Sequence, residues 1–143
     1  TVLHAPSPPI QRTGNNNVLR NTVARNPIAP GSNNLQLTGD NITIEQNTLG
    51  DGSGDGGNRA NCIDISPDSD SDTPSSHRVR IVNNRCENTA VNCLRVFSPP
   101  SSTDGDLSEG TSSEIAFIDN YCQTRGNVAV MADNVQGLTI TGN

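Results

Sequence analysis

The chain has 143 residues, a net charge of −6 and a pI of about 4.6. This length fits one domain. The acidic balance argues against a nucleic-acid partner, because phosphate contacts need clustered Lys and Arg, and Lys is absent. No membrane span is expected, since no apolar run approaches the roughly 20 residues that one requires.

The supply of large side chains is small. Phe97, Phe117 and Tyr121 are the only aromatic residues, whereas Asn occurs 19 times. A core must therefore come from Val, Ile and Leu, which suits strands stacked in thin layers. The four cysteines form no CxxC pair, and their even number is compatible with two disulfides in an oxidising compartment.

Residues 1–15 are predicted to be an N-terminal linker or edge-covering segment. From residue 16 onward, a motif of alternating apolar residues closed by Asn recurs. The closing asparagines are Asn21, Asn47, Asn84, Asn120 and Asn143, at spacings of 26, 37, 36 and 23. This Asn-ended motif is clearest over residues 42–47, 79–84, 115–120 and 138–143.

A second, shorter apolar motif alternates with the first. Its copies are Leu35-Gln-Leu37, Ile63-Asp-Ile65, Leu94-Arg-Val96 and Val128-Ala-Val130. Period-two alternation indicates a strand with one buried face. The shortest repeat leaves no room for the roughly 30 residues of a βαβ unit, so only turns separate the strands.

The apolar positions of the two motifs make up the predicted core. They are Val18, Leu35, Leu37, Ile42, Ile44, Ile63, Ile65, Val79, Ile81, Leu94, Val96, Ile115, Phe117, Val128, Val130, Leu138 and Ile140. Residues 50–60, 66–77 and 98–113 are rich in Gly, Ser, Asp or Pro and are predicted to be loop insertions. The last two follow short motifs, so they should lie at one corner of adjacent repeats.

The closing asparagines are interpreted as scaffold. Asn tolerates the left-handed backbone region that a sharp turn requires. Asparagines stacked in register can also hydrogen-bond to one another, which offsets the cost of burying each of them. Repetition in every copy favours this architectural role over a catalytic one.

Segments such as Val79-Arg-Ile-Val-Asn-Asn-Arg-Cys86 and Ile115-Ala-Phe-Ile-Asp-Asn-Tyr-Cys122 resemble repeats of the right-handed parallel β-helix superfamily. Pectate-lyase-like proteins, polygalacturonases, alginate epimerases and phage tailspikes belong to it. The resemblance covers residues 16–143 and implies an all-β, right-handed parallel β-helix of about four to five coils. It also implies an extracellular protein that binds or acts on a polysaccharide.

The polygalacturonase signature of paired aspartates followed by Gly-His-Gly is missing, although Ile63-Asp64-Ile65-Ser66 is similar to a strand that carries a catalytic aspartate. Two functions therefore stay open. One is a polysaccharide-binding or polysaccharide-modifying domain of the lyase, hydrolase or epimerase class. The alternative is a non-catalytic stalk, adhesin or tailspike segment. The expected partners are a polysaccharide or glycan and, in addition, further solenoid coils or a second copy in a homo-oligomer.

The cysteines fall in register. Cys62 and Cys93 precede consecutive short motifs, and Cys86 and Cys122 follow consecutive Asn-ended motifs. Equivalent positions on neighbouring strands lie about 4.8 Å apart, within the Cα range of a disulfide. Two disulfides between adjacent copies are one expectation, and a stack of free, buried cysteines is the other.

The middle residues of the short motif should form an outward column of Gln36, Asp64, Arg95 and Ala129. Asp64 and Arg95 would be lateral neighbours, and Arg95 could clamp a sugar carboxylate. We predict Asp64 and Arg95 as catalytic residues and Gln36 as a substrate-binding one. The alternative is a surface ion pair that stabilises the fold by less than about 1 kcal/mol.

The two loops at one corner supply the remaining candidate residues. His77 is predicted as a catalytic proton acceptor, and Arg78, Asp104 and Asp106 as substrate-binding residues. The run of Asp68, Asp70 and Asp72 could hold Ca²⁺ as a cofactor. The alternative is a pair of solvated acidic loops, since their Ser and Gly surroundings offer no burial that would shift a pKa.

Overall fold

A computed structural model describes residues 2–3, 10–25, 33–51, 61–66, 75–98, 111–125 and 128–143. Within these ranges the chain is all-β and contains no helix. The strands pair in parallel throughout and form three stacked sheets, an arrangement consistent with a β-helix. The described residues accordingly include no long apolar helix that could cross a membrane.

Each sheet takes every third strand of the chain, and only the last strand departs from this order. Sheet 1 contains β2 (Ile10–Thr13), β5 (Leu35–Thr38), β8 (Ile63–Ile65), β11 (Leu94–Phe97) and β14 (Val130–Asp133). Sheet 2 contains β3 (Val18–Arg20), β6 (Ile42–Glu45), β9 (His77–Val82), β12 (Ser112–Ile118), β15 (Val135–Gln136) and β16 (Thr139–Thr141). Sheet 3 contains β1 (Val2–Leu3), β4 (Val23–Arg25), β7 (Thr48–Gly50), β10 (Arg85–Thr89) and β13 (Tyr121–Thr124).

The short motif corresponds to sheet 1 and the Asn-ended motif to sheet 2. Sheet 3 was not predicted, because its strands carry few aliphatic residues. In Thr48-Leu-Gly50 and Arg85-Cys-Glu87, which pair with each other, the middle residue is the apolar one that faces the interior. Period-two alternation over three residues is too short a signal to separate a strand from a turn.

Inward residues of all three sheets form a single buried cluster, which includes Leu35 of sheet 1, Ile42 of sheet 2 and Leu49 of sheet 3. Twelve of the predicted core residues are buried: Leu35, Leu37, Ile42, Ile44, Ile63, Ile65, Val79, Ile81, Leu94, Val96, Ile115 and Phe117. Val130 and Leu138 are partly buried against them.

Three predicted core residues are wrong. Val18 is 63 % exposed because it pairs with Thr43, so the inward position belongs to Leu19. Val128 is 49 % exposed because β14 begins two residues later, and Leu94 pairs with Val130. Ile140 pairs with the buried Phe117 but is 50 % exposed, because β16 has only β12 as its neighbour.

Each layer of the fold contains one strand from each sheet. An asparagine ladder connects successive layers at the point where the chain passes from sheet 2 to sheet 3. The backbone N–H and side-chain Nδ2 of Asn47 both donate to Oδ1 of Asn84, at 3.0 and 2.9 Å. Asn84 donates in the same way to Asn120, and Asn120 to Asn143. Each amide also donates to a backbone carbonyl of the preceding layer, as Asn84 does to Ile44.

The first position of this ladder is Thr22, whose N–H donates to Asn47 Oδ1 at 3.0 Å, so the prediction of Asn21 was one residue out. The left-handed backbone also belongs to the residue before each ladder position. Asn21, Gln46, Asn83 and Asp119 have φ between 52° and 56°. Turning and stacking are thus divided between two adjacent residues, because an Asn that turns the chain cannot also present its amide to the interior.

A second asparagine ladder precedes sheet 1 and has the opposite polarity. Asn61 donates through N and Nδ2 to Oδ1 of Asn33, and Asn92 donates likewise to Asn61. In this ladder the later residue donates to the earlier one, whereas in the first ladder the earlier residue donates to the later. The Nδ2 of Asn33 is left to bond elsewhere, and it reaches Asp64.

A disulfide joins Cys62, just before β8, to Cys86 in β10, with Cα atoms 6.0 Å apart, while Cys93 and Cys122 are free thiols. The predicted pairing of equivalent cysteines on adjacent strands is therefore wrong for this pair. Side chains on adjacent parallel strands project side by side. Cys62 instead precedes a strand of sheet 1, Cys86 lies in sheet 3, and the two meet across the interior.

Candidate functional site

The outward face of sheet 1 carries a polar column set by strand register. Gln36 pairs with Asp64, Asp64 with Arg95, and Arg95 with Met131. The first three members agree with the prediction, but the fourth is Met131 rather than Ala129. The shift follows from the later start of β14, which moves every residue of that strand by two relative to the predicted motif.

Asp64 and Arg95 form an ion pair that is largely removed from water. A terminal nitrogen of Arg95 lies 3.4 and 3.3 Å from the two carboxylate oxygens of Asp64. Asp64 is 3 % exposed, and the Arg95 side chain is 14 % exposed. The alternative of an ordinary surface ion pair therefore does not describe this site, because screening by solvent is weak here.

Burial governs the protonation of Asp64. Removal from water raises the pKa of the Asp64 carboxyl above its ordinary value, because the charged form loses its hydration. The positive charge of Arg95 and the hydrogen bond from Asn33 Nδ2, 2.7 Å long, act in the opposite direction but do not cancel it. A carboxyl group with a raised pKa holds its proton to a higher pH than a solvated aspartate does, which is a property of many catalytic acids and bases.

Two further residues shape this site, and neither was predicted to do so. Asn33, at the end of the second ladder, orients the carboxylate of Asp64. The guanidinium carbon of Arg95 lies 4.8 Å from the centre of the Phe97 ring, which supports the cation by a cation–π contact. The sequence signal for Phe97 is its spacing, because it follows Arg95 by two residues and so shares its face.

Arg95 has one donor, its Nε, that is buried without a hydrogen-bond partner among the residues that the structure describes. Most buried donors in proteins are paired, so this group marks Arg95 as a position where a further acceptor could bind after a change of rotamer.

His77 and Arg78 lie elsewhere, at the beginning of β9 in sheet 2. The His77 ring lies between two hydroxyls, with Ser113 Oγ 2.8 Å from Nδ1 and Ser75 Oγ 3.2 Å from Nε2. A neutral imidazole can donate to one of them and accept from the other. The catalytic role of His77 stays a prediction, and the structure places His77 in sheet 2 and Asp64 in sheet 1.

Arg78 occupies a backbone position that recurs in neighbouring layers. Its φ of 55° matches those of Asn41 and Glu114, which occupy the equivalent turn in neighbouring layers. Its guanidinium lies 3.4 Å from Asp40 and is well exposed. A left-handed turn position is thus filled here by a residue that does not favour that conformation.

The outward face of sheet 3 carries an ion-pair network that the sequence analysis missed. Arg25 contacts Asp51 at 3.2 Å and Glu87 at 2.6 Å, and Glu87 also accepts from Arg85. The hydrogen bond from Arg85, followed by the one from Arg25, lowers the pKa of Glu87. The Arg85 guanidinium also stacks on Tyr121, 4.2 Å from its ring centre. These groups are exposed or half-buried, so the network contributes little to stability.

The remaining predicted residues lie outside the described ranges. They are Asp68, Asp70 and Asp72 of the predicted calcium site and Asp104 and Asp106 of the predicted substrate site. Among the described residues, no group of three or more His, Cys, Asp or Glu side chains is placed to hold a metal ion. The described ends of the two loops meet at one corner, because Ser76 N–H donates to Ser112 Oγ at 3.1 Å and Ser112 Oγ also lies 2.6 Å from Ser98 Oγ.

Comparison with known proteins gives no relative. No family model, no curated protein and no solved structure matches this chain significantly. Function is therefore inferred from the geometry of the Asp64–Arg95 pair and from the resemblance of the repeats.

Proposed function

We propose that this protein binds or modifies an acidic polysaccharide on the outward face of sheet 1. The observation that carries the proposal is the buried Asp64–Arg95 pair at the centre of that face. It is the one ion pair between described residues in which both side chains are less than one-fifth exposed. It also has no counterpart in the other layers of the sheet, where Gln36 and Met131 stand at the same position.

The chemistry of the pair suits a sugar acid. The guanidinium of Arg95 can form paired hydrogen bonds to a carboxylate, and its Nε–H is free to take part. Asp64, with its raised pKa, can donate a proton to a glycosidic oxygen or remove one from a sugar ring. Gln36, one strand away, supplies a neutral donor and acceptor for hydroxyl groups.

We also infer the finer architecture and location. The chain is a right-handed parallel β-helix of four to five coils, similar to the pectate-lyase-like superfamily. Support comes from the repeated order in which the strands visit the three sheets and from the rule that parallel crossovers are right-handed. An extracellular location is supported by the Cys62–Cys86 disulfide, because such bonds persist in oxidising compartments.

The test is a panel of glycans. Binding of the wild type to polygalacturonate, alginate and a neutral glucan is measured by calorimetry, and cleavage or epimerisation is followed by mass spectrometry. We expect binding to the acidic polymers only, with Arg95→Ala weakening it at least tenfold and Asp64→Asn abolishing any turnover. Equal affinity for the neutral polymer, or full activity in both variants, would contradict the proposal.

Arg80→Ala is the matched control. Arg80 points outward from β9 in sheet 2, so this variant removes the same charge from another face. It should bind the acidic glycans as the wild type does. Repeating the titrations with a calcium chelator tests the predicted contribution of Asp68, Asp70 and Asp72, which requires binding to weaken when calcium is removed.

The alternative, a non-catalytic stalk or adhesin segment, is favoured by a different observation. Val128, Met131 and Ile140 are large apolar residues that remain exposed around the last strands of sheets 1 and 2. Exposed apolar residues of this kind are suited to packing against further coils or a second copy. If this alternative holds, the glycan panel shows no binding, and sedimentation shows an oligomer that Ile140→Asp dissociates.

A further inference from the structure

The two free cysteines repeat the geometry of the bonded pair. Cys62 immediately precedes β8, and Cys93 immediately precedes β11, whose first residue pairs with that of β8. Cys86 and Cys122 are themselves register partners on β10 and β13. The Cys93–Cys122 pair is therefore the Cys62–Cys86 pair displaced by one strand spacing, about 4.8 Å.

The contacts agree with this displacement. The thiols of Cys93 and Cys122 are within hydrogen-bonding reach of each other across the interior. Cys93 is buried, whereas Cys122 is partly exposed. In the layer before the disulfide the two equivalent positions hold Asn34 and Leu49, so the cysteines occur as facing pairs and never singly.

We propose that Cys93 and Cys122 are a modification site at which a second disulfide forms, stacked on the first, when the protein meets a disulfide oxidant. The proposal is independent of the glycan function. It requires only that a main-chain geometry that accepts one disulfide in one layer also accepts one in the next.

The reaction is thiol–disulfide exchange. The thiolate of Cys122 attacks one sulfur of a small-molecule or protein disulfide, forming a mixed disulfide and releasing one thiolate. Cys93 then loses its proton and attacks the Cys122 sulfur, which releases the second thiolate. Two protein thiols are oxidised, and one oxidant disulfide is reduced to two thiols.

The order of attack follows from the surroundings. Cys122 is the more accessible thiol, and the hydrogen bond from Cys93 lowers the pKa of Cys122, which favours its thiolate. The pKa of Cys93 is raised by the same hydrogen bond and by burial. Cys93 therefore keeps its proton until the mixed disulfide is in place and acts as the resolving cysteine.

Peptide mapping tests the pairing directly. The protein is incubated with oxidised glutathione, blocked with N-ethylmaleimide at acidic pH, and digested without reduction by trypsin and a Glu-specific protease. Cleavage after Arg85, Glu87 and Arg95 separates Cys86 from Cys93, and cleavage after Glu114 and Arg125 isolates Cys122. We expect residues 88–95 to be linked to 115–125, and Cys86 to the peptide that holds Cys62.

Two outcomes would overturn the proposal. One is N-ethylmaleimide on both Cys93 and Cys122 after complete oxidation. The other is a map with Cys62 linked to Cys93 and Cys86 to Cys122. Because the map is made on the unaltered protein, it does not depend on whether a variant folds.

A thermal measurement gives a second, separate readout. The double variant Cys93→Ser/Cys122→Ser keeps the first disulfide, so comparison with oxidised wild type isolates the second. We expect the oxidised wild type to melt roughly 10 °C higher than the variant, because the bridge restricts the unfolded chain. Identical melting temperatures would show that no stabilising bridge forms.

Discussion

The first asparagine ladder and the Asp64–Arg95 pair are both buried polar networks, but they are built on opposite principles. The ladder repeats in every layer from Thr22 to Asn143, and each amide is neutral and fully bonded. The Asp64–Arg95 pair occurs once, carries two charges and leaves Nε of Arg95 unpaired. The difference separates scaffold from candidate site, because stability gains from repetition, whereas recognition of a ligand requires one distinctive position.

The largest expected effect is on the ladder. Asn84→Ala removes the acceptor of two hydrogen bonds from Asn47 and the donor to Ile44 O. Each buried partner left unsatisfied costs about 1–3 kcal/mol, so the free energy of unfolding should fall by about 4 kcal/mol. Urea denaturation measures this change.

Asn143→Ala is the control for that prediction. Asn143 occupies the exposed last position of the ladder, where water can replace the amide, so the loss should stay below about 1 kcal/mol. Equal losses in the two variants would mean that the ladder does not stabilise the fold by satisfying buried groups.

A smaller loss is expected from Arg95→Ala, which leaves the buried carboxylate of Asp64 without its counter-charge. Proton uptake by Asp64 limits the cost, and we expect the free energy of unfolding to fall by about 2–3 kcal/mol at neutral pH. The double variant Arg95→Ala/Asp64→Asn should recover most of this loss. No recovery would show that Arg95 stabilises the fold through Phe97 rather than through Asp64.

The pH dependence of Asp64 has a defined sign. The folded-state pKa of Asp64 is raised above the ordinary 3.8. In the pH window between the unfolded-state and the folded-state pKa, the native state therefore holds a proton that the unfolded state has released. The contribution of Asp64 to stability therefore falls as pH rises through the window. The stability difference between wild type and Asp64→Asn, followed by urea denaturation from about pH 3 to about pH 8, should shift against the wild type as pH increases.

The smallest expected effect concerns Arg78, which occupies a left-handed backbone position that Asn41 and Glu114 fill in the neighbouring layers. Arg78→Gly relieves the cost of a left-handed φ at a non-glycine residue and loses only an exposed contact to Asp40. We expect thermal unfolding to show a gain of up to about 1 kcal/mol. If Arg78 binds substrate as predicted, the same variant loses glycan affinity while becoming more stable.

Much of the scaffold could be predicted from local pattern alone. The apolar alternation placed twelve buried core residues, and the spacing of Asn47, Asn84 and Asn120 identified the main ladder. The site was predicted in part, because register follows from aligned motifs, so Gln36, Asp64 and Arg95 fell into one column. The burial of that column was not predictable, since residues distant in sequence decide which outward positions lose water.

The sequence by itself therefore determined most strands of two sheets, the register of their middle strands β5, β8, β11 and β6, β9, β12, and the main positions at which amides stack, because these depend on period-two alternation and on equivalent spacing between repeats. Only the tertiary structure decided that a third sheet closes the interior, that Cys62 faces Cys86, and that Asp64 is desolvated beside Arg95. Those features depend on which residues meet across the interior or are covered from outside, and spacing along one chain does not encode either relation.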